Sequence, residues 1–229
     1  MELAWKVHAQ HLVEIGPLYS LKQPAAALEE EQGYLIIEEI EGVEPLDLQM
    51  GVDPKLTVPE VLWEALFGES EPDTGEGACD GDTVAPMGTY AVLDAGKMPY
   101  LLTASLQGSG LEYQSLFQGE TQEELKEYAP YLVRLEEGND FTRKLFTQAD
   151  PPLGLWDKGL GIYLRSRASF AQVRKHLRKF TRIQDEQGKW YFFRFWEGCY
   201  IEGFLQHSSM SVTSKFFTHV SSVIYRINT

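Results

Sequence analysis

The residue types best suited to metal or nucleophilic chemistry are five histidines (His8, His11, His176, His207, His219) and two cysteines, Cys79 and Cys199. His8 and His11 stand three apart, neighbours on one face if that segment were helical. No HExxH and no third ligand accompanies them, so the spacing falls short of a zinc site. Gly108-Ser109-Gly110 lacks the flanking residues of a nucleophile elbow, and neither a P-loop nor a GxGxxG is present. Cys199 has no sequence-local base to activate its thiol, and His176 sits on the flank of an amphipathic helix, where a histidine ordinarily packs. Asp73, Asp80 and Asp82 miss the EF-hand spacing and its late glutamate. These residues predict no catalytic constellation, no metal site and no cofactor.

Charge offers more. Arg165, Arg167, Arg174, Lys175, Arg178, Lys179 and Arg182 make seven bases with no acid between them. Such a stripe suits an acidic protein surface or phosphate, and it is also what the solvated side of a helix looks like. No stacking aromatics interleave it, which argues against nucleic acid. Further on, Trp190, Phe192 and Trp196 alternate with Tyr191, Phe193 and Phe195. Read as a strand, that run is apolar on both faces and predicts an interior position covered by helices. Arg194 within it would then be partly buried and need a carboxylate, for which Asp94 and Glu197 are the candidates.

These groups sit on an unevenly charged chain. The net charge is −14 over 229 residues, but residues 1–85 hold 19 acids against three lysines while the remainder is slightly basic. A strongly negative first third disfavours nucleic acid there and suits solvation or a basic partner. It also raises the expectation that the acidic segment folds back on the stripe from Arg165 to Arg182. Hydrophobic residues at 43% are enough for a packed core. No apolar run is long enough to span a membrane, the first residues carry no secretory pattern, and the two distant cysteines suit reduced thiols. A soluble, cytoplasmic protein is the expectation.

Residues 1–68 read as a small acidic lobe, with a β-prone Tyr34-Leu35-Ile36-Ile37. A helix is predicted after Thr57-Val58-Pro59-Glu60, with Thr57 as cap and Gly68 as stop. Residues 69–88, rich in Gly, Pro, Asp and Glu, read as a linker or long acidic loop. From 89 to 229 the pattern is that of one α/β (α+β) domain, a mixed sheet with packed helices. Thr89–Asp94 and Gly161–Leu164 are predicted strands. Ser169 caps a helix running to about Phe180, with Phe170, Val173, Leu177 and Phe180 on one face and Lys175 and Lys179 pointing away. A hairpin follows, turning at Gln187-Gly188.

Several of these segments, in this order, resemble the adaptor (effector-chaperone) proteins of type VI secretion, the Tec family or domain of unknown function 4123. The matching pieces are Tyr90-Ala91-Val92-Leu93-Asp94-Ala95, Tyr113 to Gly119, Ala129 to Leu135, His176-Leu177-Arg178-Lys179-Phe180 and Tyr191 to Trp196. The resemblance runs from about residue 89 to 205, with a weaker echo at Phe216-Phe217 and Val223-Ile224-Tyr225. After its FRF strand the family continues with an aromatic, Asp, Pro and Arg, where this chain has Trp196-Glu197-Gly198-Cys199. The resemblance implies a cytoplasmic adaptor, not an enzyme, that binds a secreted effector and helps load it onto a VgrG-type spike protein. It implies neither membrane nor nucleic-acid partners. The partner surface is expected on the basic helix. Two other classes stay open on the residues alone: a nucleic-acid-binding regulator using 165–182, and a hydrolase.

Overall fold

The computed structural model describes residues 3–11, 34–68, 85–184 and 187–228. Its frame is one sheet of seven strands: β1 (Leu3–His11), β2 (Tyr34–Ile40), β3 (Gly88–Asp94), β4 (Tyr113–Ser115), β5 (Pro130–Leu135), β6 (Gly161–Ser166) and β9 (Ser222–Asn228). They lie in the order β2-β1-β9-β6-β3-β5-β4, and every pairing is antiparallel. The α+β class expected from the sequence is what forms.

Alternation along the strands explains why helices cover both faces. Side chains of a strand point alternately to opposite sides. Ala91 and Leu93 of β3 enter one core with Tyr131 and Val133 of β5 and Tyr163 of β6. Tyr90 and Val92 enter the other with Leu132, Ile162 and Leu164. Strands apolar on both faces must be buried on both. The first core is closed by α1 (Glu60–Phe67), α2 (Leu101–Gln107) and α4 (Asp140–Phe146). The second is closed by α5 (Phe170–Leu177), α6 (Gly198–His207) and α7 (Met210–Phe217). A short α3 (Glu120–Glu124) precedes β5 without a buried residue of its own.

The described residues of the first 68 share the sheet and the first core with the rest of the chain. β1 pairs with the last strand along Leu3↔Asn228 to Ala9↔Ser222, so the two ends of the chain share one sheet. Trp5 from β1 is buried against Phe146, Trp156 and Tyr163. Helix α1 packs Leu62 and Leu66 into the same core. Its start differs from expectation: Thr57 does not cap it, because the Thr57 hydroxyl accepts the Gly138 N–H at 2.7 Å. The linker reading of 69–88 falls mostly outside the described residues, as do Asp73, Cys79, Asp80 and Asp82. Gly88 already belongs to β3.

A second departure concerns 189–196. β7 (Arg182–Gln184) and β8 (Trp190–Phe192) form a hairpin of their own, apart from the main sheet. Trp190, Tyr191 and Phe192 are exposed, while Phe193, Phe195 and Trp196 are buried. The run is therefore two structures. An exposed strand ends at Phe192, and a tight turn, closed by Glu197 N–H to the Arg194 carbonyl at 3.0 Å, drives the last aromatics into the second core.

Candidate partner-binding surface

Helix α5 begins where the sequence places it. The Ser169 hydroxyl accepts from Gln172 N–H, and the Gln172 side chain accepts from Ser169 N–H, a complete capping box. Phe170, Val173 and Leu177 are buried, and a 3-10 turn (Arg178–Phe180) continues the line.

The seven bases do not share one outer face. Arg165 lies on β6, is only 4% exposed, and donates to the carbonyls of Ala65 (3.4 Å) and Gly68 (2.6 Å). It fastens α1 to the sheet and is not available to a partner; burial holds its pKa below the ordinary arginine value. Arg167 donates to the Ala85 carbonyl at 2.8 Å. These two arginines thus grip both ends of the acidic stretch 69–84, whose own contacts fall outside the described residues. Arg174 Nε donates to Ser115 O at 2.8 Å and Nη2 to Phe117 O at 3.3 Å, and Arg178 Nε donates to Leu116 O at 3.0 Å. The two arginines tie the end of β4 and the residues after it to α5 and the 3-10 turn that follows it. Only Lys175, Lys179 and Arg182 stand exposed.

Sequence reasoning missed the groove these anchors build. Between the 115–118 segment, α3 and the hairpin lies a depression of about 570 Å³ lined by Phe117, Leu125, Tyr128, Arg182, Phe192 and Arg194 among others. The Phe192 ring lies 5.6 Å from Phe117, tilted against it, and 5.7 Å from Trp196, edge-on. On the hairpin beside it Trp190 is 63% exposed, Phe192 52% and Tyr191 43%, with Ile183 also outward. Large aromatics massed on a two-stranded ribbon are unusual for a surface with nothing to cover it. The signal was present in the sequence as WYF after a Gly turn, but a two-faced aromatic run reads equally as a buried strand.

Arg194 forms the back of this groove. Its Nη2 donates to Asp94 at 2.5 Å and its Nε to Glu197, the two carboxylates that the sequence set beside it. Asp94 is wholly buried at the end of β3 and also accepts Gly96 N–H at 2.9 Å. Burial pushes the Asp94 carboxyl up, against the pull of Arg194 and that N–H. Burial alone would lower the Arg194 pKa, but its two carboxylates raise it overall, so the guanidinium stays charged. Burial of the carboxylate is tolerated because the Arg194 guanidinium and the Gly96 amide both donate to it.

The Trp196-Glu197-Gly198-Cys199 stretch has a local reason. Glu197 supplies the carboxylate to Arg194, and Gly198 lies so close to the Arg226 carbonyl oxygen that a Cβ would collide with it. Proline cannot replace Gly198 without moving β9. Cys199 is exposed at the start of α6.

Of the residue types suited to chemistry, His176 and His219 come together, their rings edge-on with centroids 5.1 Å apart. His8 lies in a strand, where helical spacing does not apply, and its Nε2 meets the Tyr225 hydroxyl at 2.8 Å. His176 Nε2 bonds the Phe216 carbonyl at 2.7 Å, and burial lowers its pKa. Among the described residues no group of three or more His, Cys, Asp or Glu is placed to hold a metal, and no helix is long and apolar enough to cross a membrane.

Against known families, the domain of unknown function DUF4123 matches residues 89–215, more than half of the chain. The matched region takes in β3 to β8, the groove and most of α5 to α7. No curated protein and no solved structure matches the chain.

Proposed function

We propose, from the premise that this chain belongs to the DUF4123 family, that it is a cytoplasmic, non-enzymatic adaptor. It binds a cognate type VI secretion effector and helps load it onto the VgrG-type spike. The observation that carries this reading is the aromatic hairpin 182–192 standing beside a groove with apolar walls and arginine edges. Interfaces concentrate their energy in Trp, Tyr and Arg, and they need no converging titratable groups. The four arginines spent on backbone carbonyls leave little of the stripe for phosphate, which weakens a nucleic-acid reading.

The effector contacts the hairpin first in this proposal, with Arg182, Lys175 and Lys179 setting orientation. The tagged protein, purified from its native cell, is expected to carry one secreted effector or a spike component identifiable by mass spectrometry. Trp190→Ser with Phe192→Ser is expected to keep the fold, since both side chains are largely exposed, and to weaken the complex by about ten-fold or more. A folded double variant that binds as the parent does removes the hairpin from the interface. A parent that brings down neither effector nor spike component ends the adaptor reading.

A further inference from the structure

A second cleft, of about 730 Å³, opens where β9, the start of β6, the 3-10 turn Trp156–Lys158 and the N-terminus of α6 converge. It shares a wall with the groove: Arg194 lines the groove, while its ion-pair partner Glu197 lines this cleft. The size is that of an ordinary small-ligand site.

Three observations give it a chemical preference. First, the Arg226 guanidinium lies over the Trp156 ring, 4.9 Å from its centroid, and no carboxylate pairs with it among the described residues. Gly159, with φ 50°, leaves that guanidinium its seat, since a Cβ there would come within 2.6 Å of Nη2. Second, the other acids and bases of the cleft are mostly spent. Glu197 holds Arg194, Glu202 holds Lys6 at 2.8 Å, and Lys97 donates to the Gly159 carbonyl at 2.6 Å. Arg226 and Lys158 remain, with Asp157, which accepts from the Gln148 side-chain amide at 3.3 Å. Third, the Trp5 side chain lines the cleft at 2% exposure, and its indole N–H has no hydrogen-bond partner among the described residues. A buried donor without an acceptor is costly and rare. The remaining walls, Leu145, Leu155 and the Trp156 ring, are apolar.

We propose that this cleft is a carboxylate-binding site, taking an organic acid with a flat apolar or aromatic body. The carboxylate sits on the exposed edge of the Arg226 guanidinium, where two parallel N–H groups can meet its two oxygens. The body lies against the indoles and leucines. Such a group can come from a free small acid or from the carboxyl terminus of a polypeptide, and the chemistry of recognition is the same.

Cys199 lies on the rim of the same cleft and is exposed, so its alkylation reports occupancy; peptide mapping separates it from Cys79. Indole-3-acetate serves as the small acid, with indole-3-acetamide as its neutral control. A tetrapeptide ending in Phe, with a free or an amidated terminus, serves as the polypeptide. At a ligand concentration about nine times Kd, an occupied cleft slows alkylation about ten-fold by mass action. Protection by indole-3-acetate and not by its amide supports a small-acid site. Protection by the free peptide and not by the amidated one supports a polypeptide terminus. Arg226→Met, which keeps the stem on Trp156, is expected to abolish either. Equal protection by acid and amide, protection by none of the four, or undiminished protection in a folded Arg226→Met overturns the proposal. The acid–amide comparison needs no variant, so a poorly folding Arg226→Met does not remove the test.

Discussion

Arg174 and Arg178 look from the sequence like the centre of a partner surface, and reversing both to Glu would be expected to spare the fold. Their hydrogen bonds to Ser115, Leu116 and Phe117 carbonyls reverse that expectation. Losing a charge-assisted bond and leaving its carbonyl beside a carboxylate costs stability of about 2 kcal/mol at each site. Urea denaturation of Arg174→Glu and Arg178→Glu measures it. An unchanged midpoint in both would mean that these bonds do not hold the groove. Lys175, exposed on α5, and Lys179, exposed on the 3-10 turn after it, are the positions at which charge reversal reports on a partner alone. His8 gives a pH signature. Burial, helped by Lys6 and opposed by Glu202, lowers its pKa from 6.5 to about 4. The unfolded chain therefore binds a proton between those values that the native state refuses. Stability conferred by neutral His8 is complete above pH 6.5 and is lost as pH falls toward about 4, amounting to about 3 kcal/mol. His8→Gln keeps an acceptor for the Tyr225 hydroxyl without titrating. It is expected to flatten that part of the profile, and a variant with the parent's pH slope would assign the slope elsewhere.

At the level of elements, what is legible in the sequence is what depends on near neighbours. Ser169 and Gln172 cap α5 from three residues apart, and Phe170, Val173 and Leu177 repeat at helical spacing, so start and face both follow. β3 and β6 announce themselves as continuous apolar runs. The hairpin turn is legible too, with Gly188 in the left-handed region at φ 84°. What is not legible is how far a strand continues. The aromatic run from Trp190 to Trp196 has one period throughout, yet it breaks at Arg194, because Asp94 and Glu197 capture that guanidinium. Asp94 lies 100 residues away in the chain. The groove is hidden for the same reason, since Phe117, Tyr128 and Phe192 meet only once distant segments are assembled. A charge stripe, by contrast, is visible at once but misleads. Sequence proximity says nothing about which arginines turn inward to carbonyls.

Across the whole molecule, the steep charge contrast between the first third and the rest suggests two bodies attracted to one another. The strand order gives a different organisation. β1 lies between β2 and β9, so the first described residues and the last are hydrogen-bonded neighbours in one sheet. Removing residues 1–85 would strip β9 of its pairing with β1, leaving it β6 alone, and would take Trp5, Leu62 and Leu66 out of the first core; it would not merely unmask a basic face. Trp5 is the sharpest test of this unity. Its ring packs within 6.3 Å of Phe146, 5.6 Å of Trp156 and 6.0 Å of Tyr163, joining the N-terminal strand to α4, to the 3-10 turn and to β6. Truncating so large a buried aromatic leaves a cavity among these rings and costs about 3–5 kcal/mol. If the chain unfolds as one unit, Trp5→Ala lowers the midpoint of a single transition, and near-UV circular dichroism and far-UV signals shift together. An early transition confined to the N-terminal strands, with the rest melting at the parent's temperature, would instead restore the separate lobe. The same variant also removes the orphaned indole donor from the Arg226 cleft, so loss of Cys199 protection without loss of the hairpin complex would separate the two sites functionally.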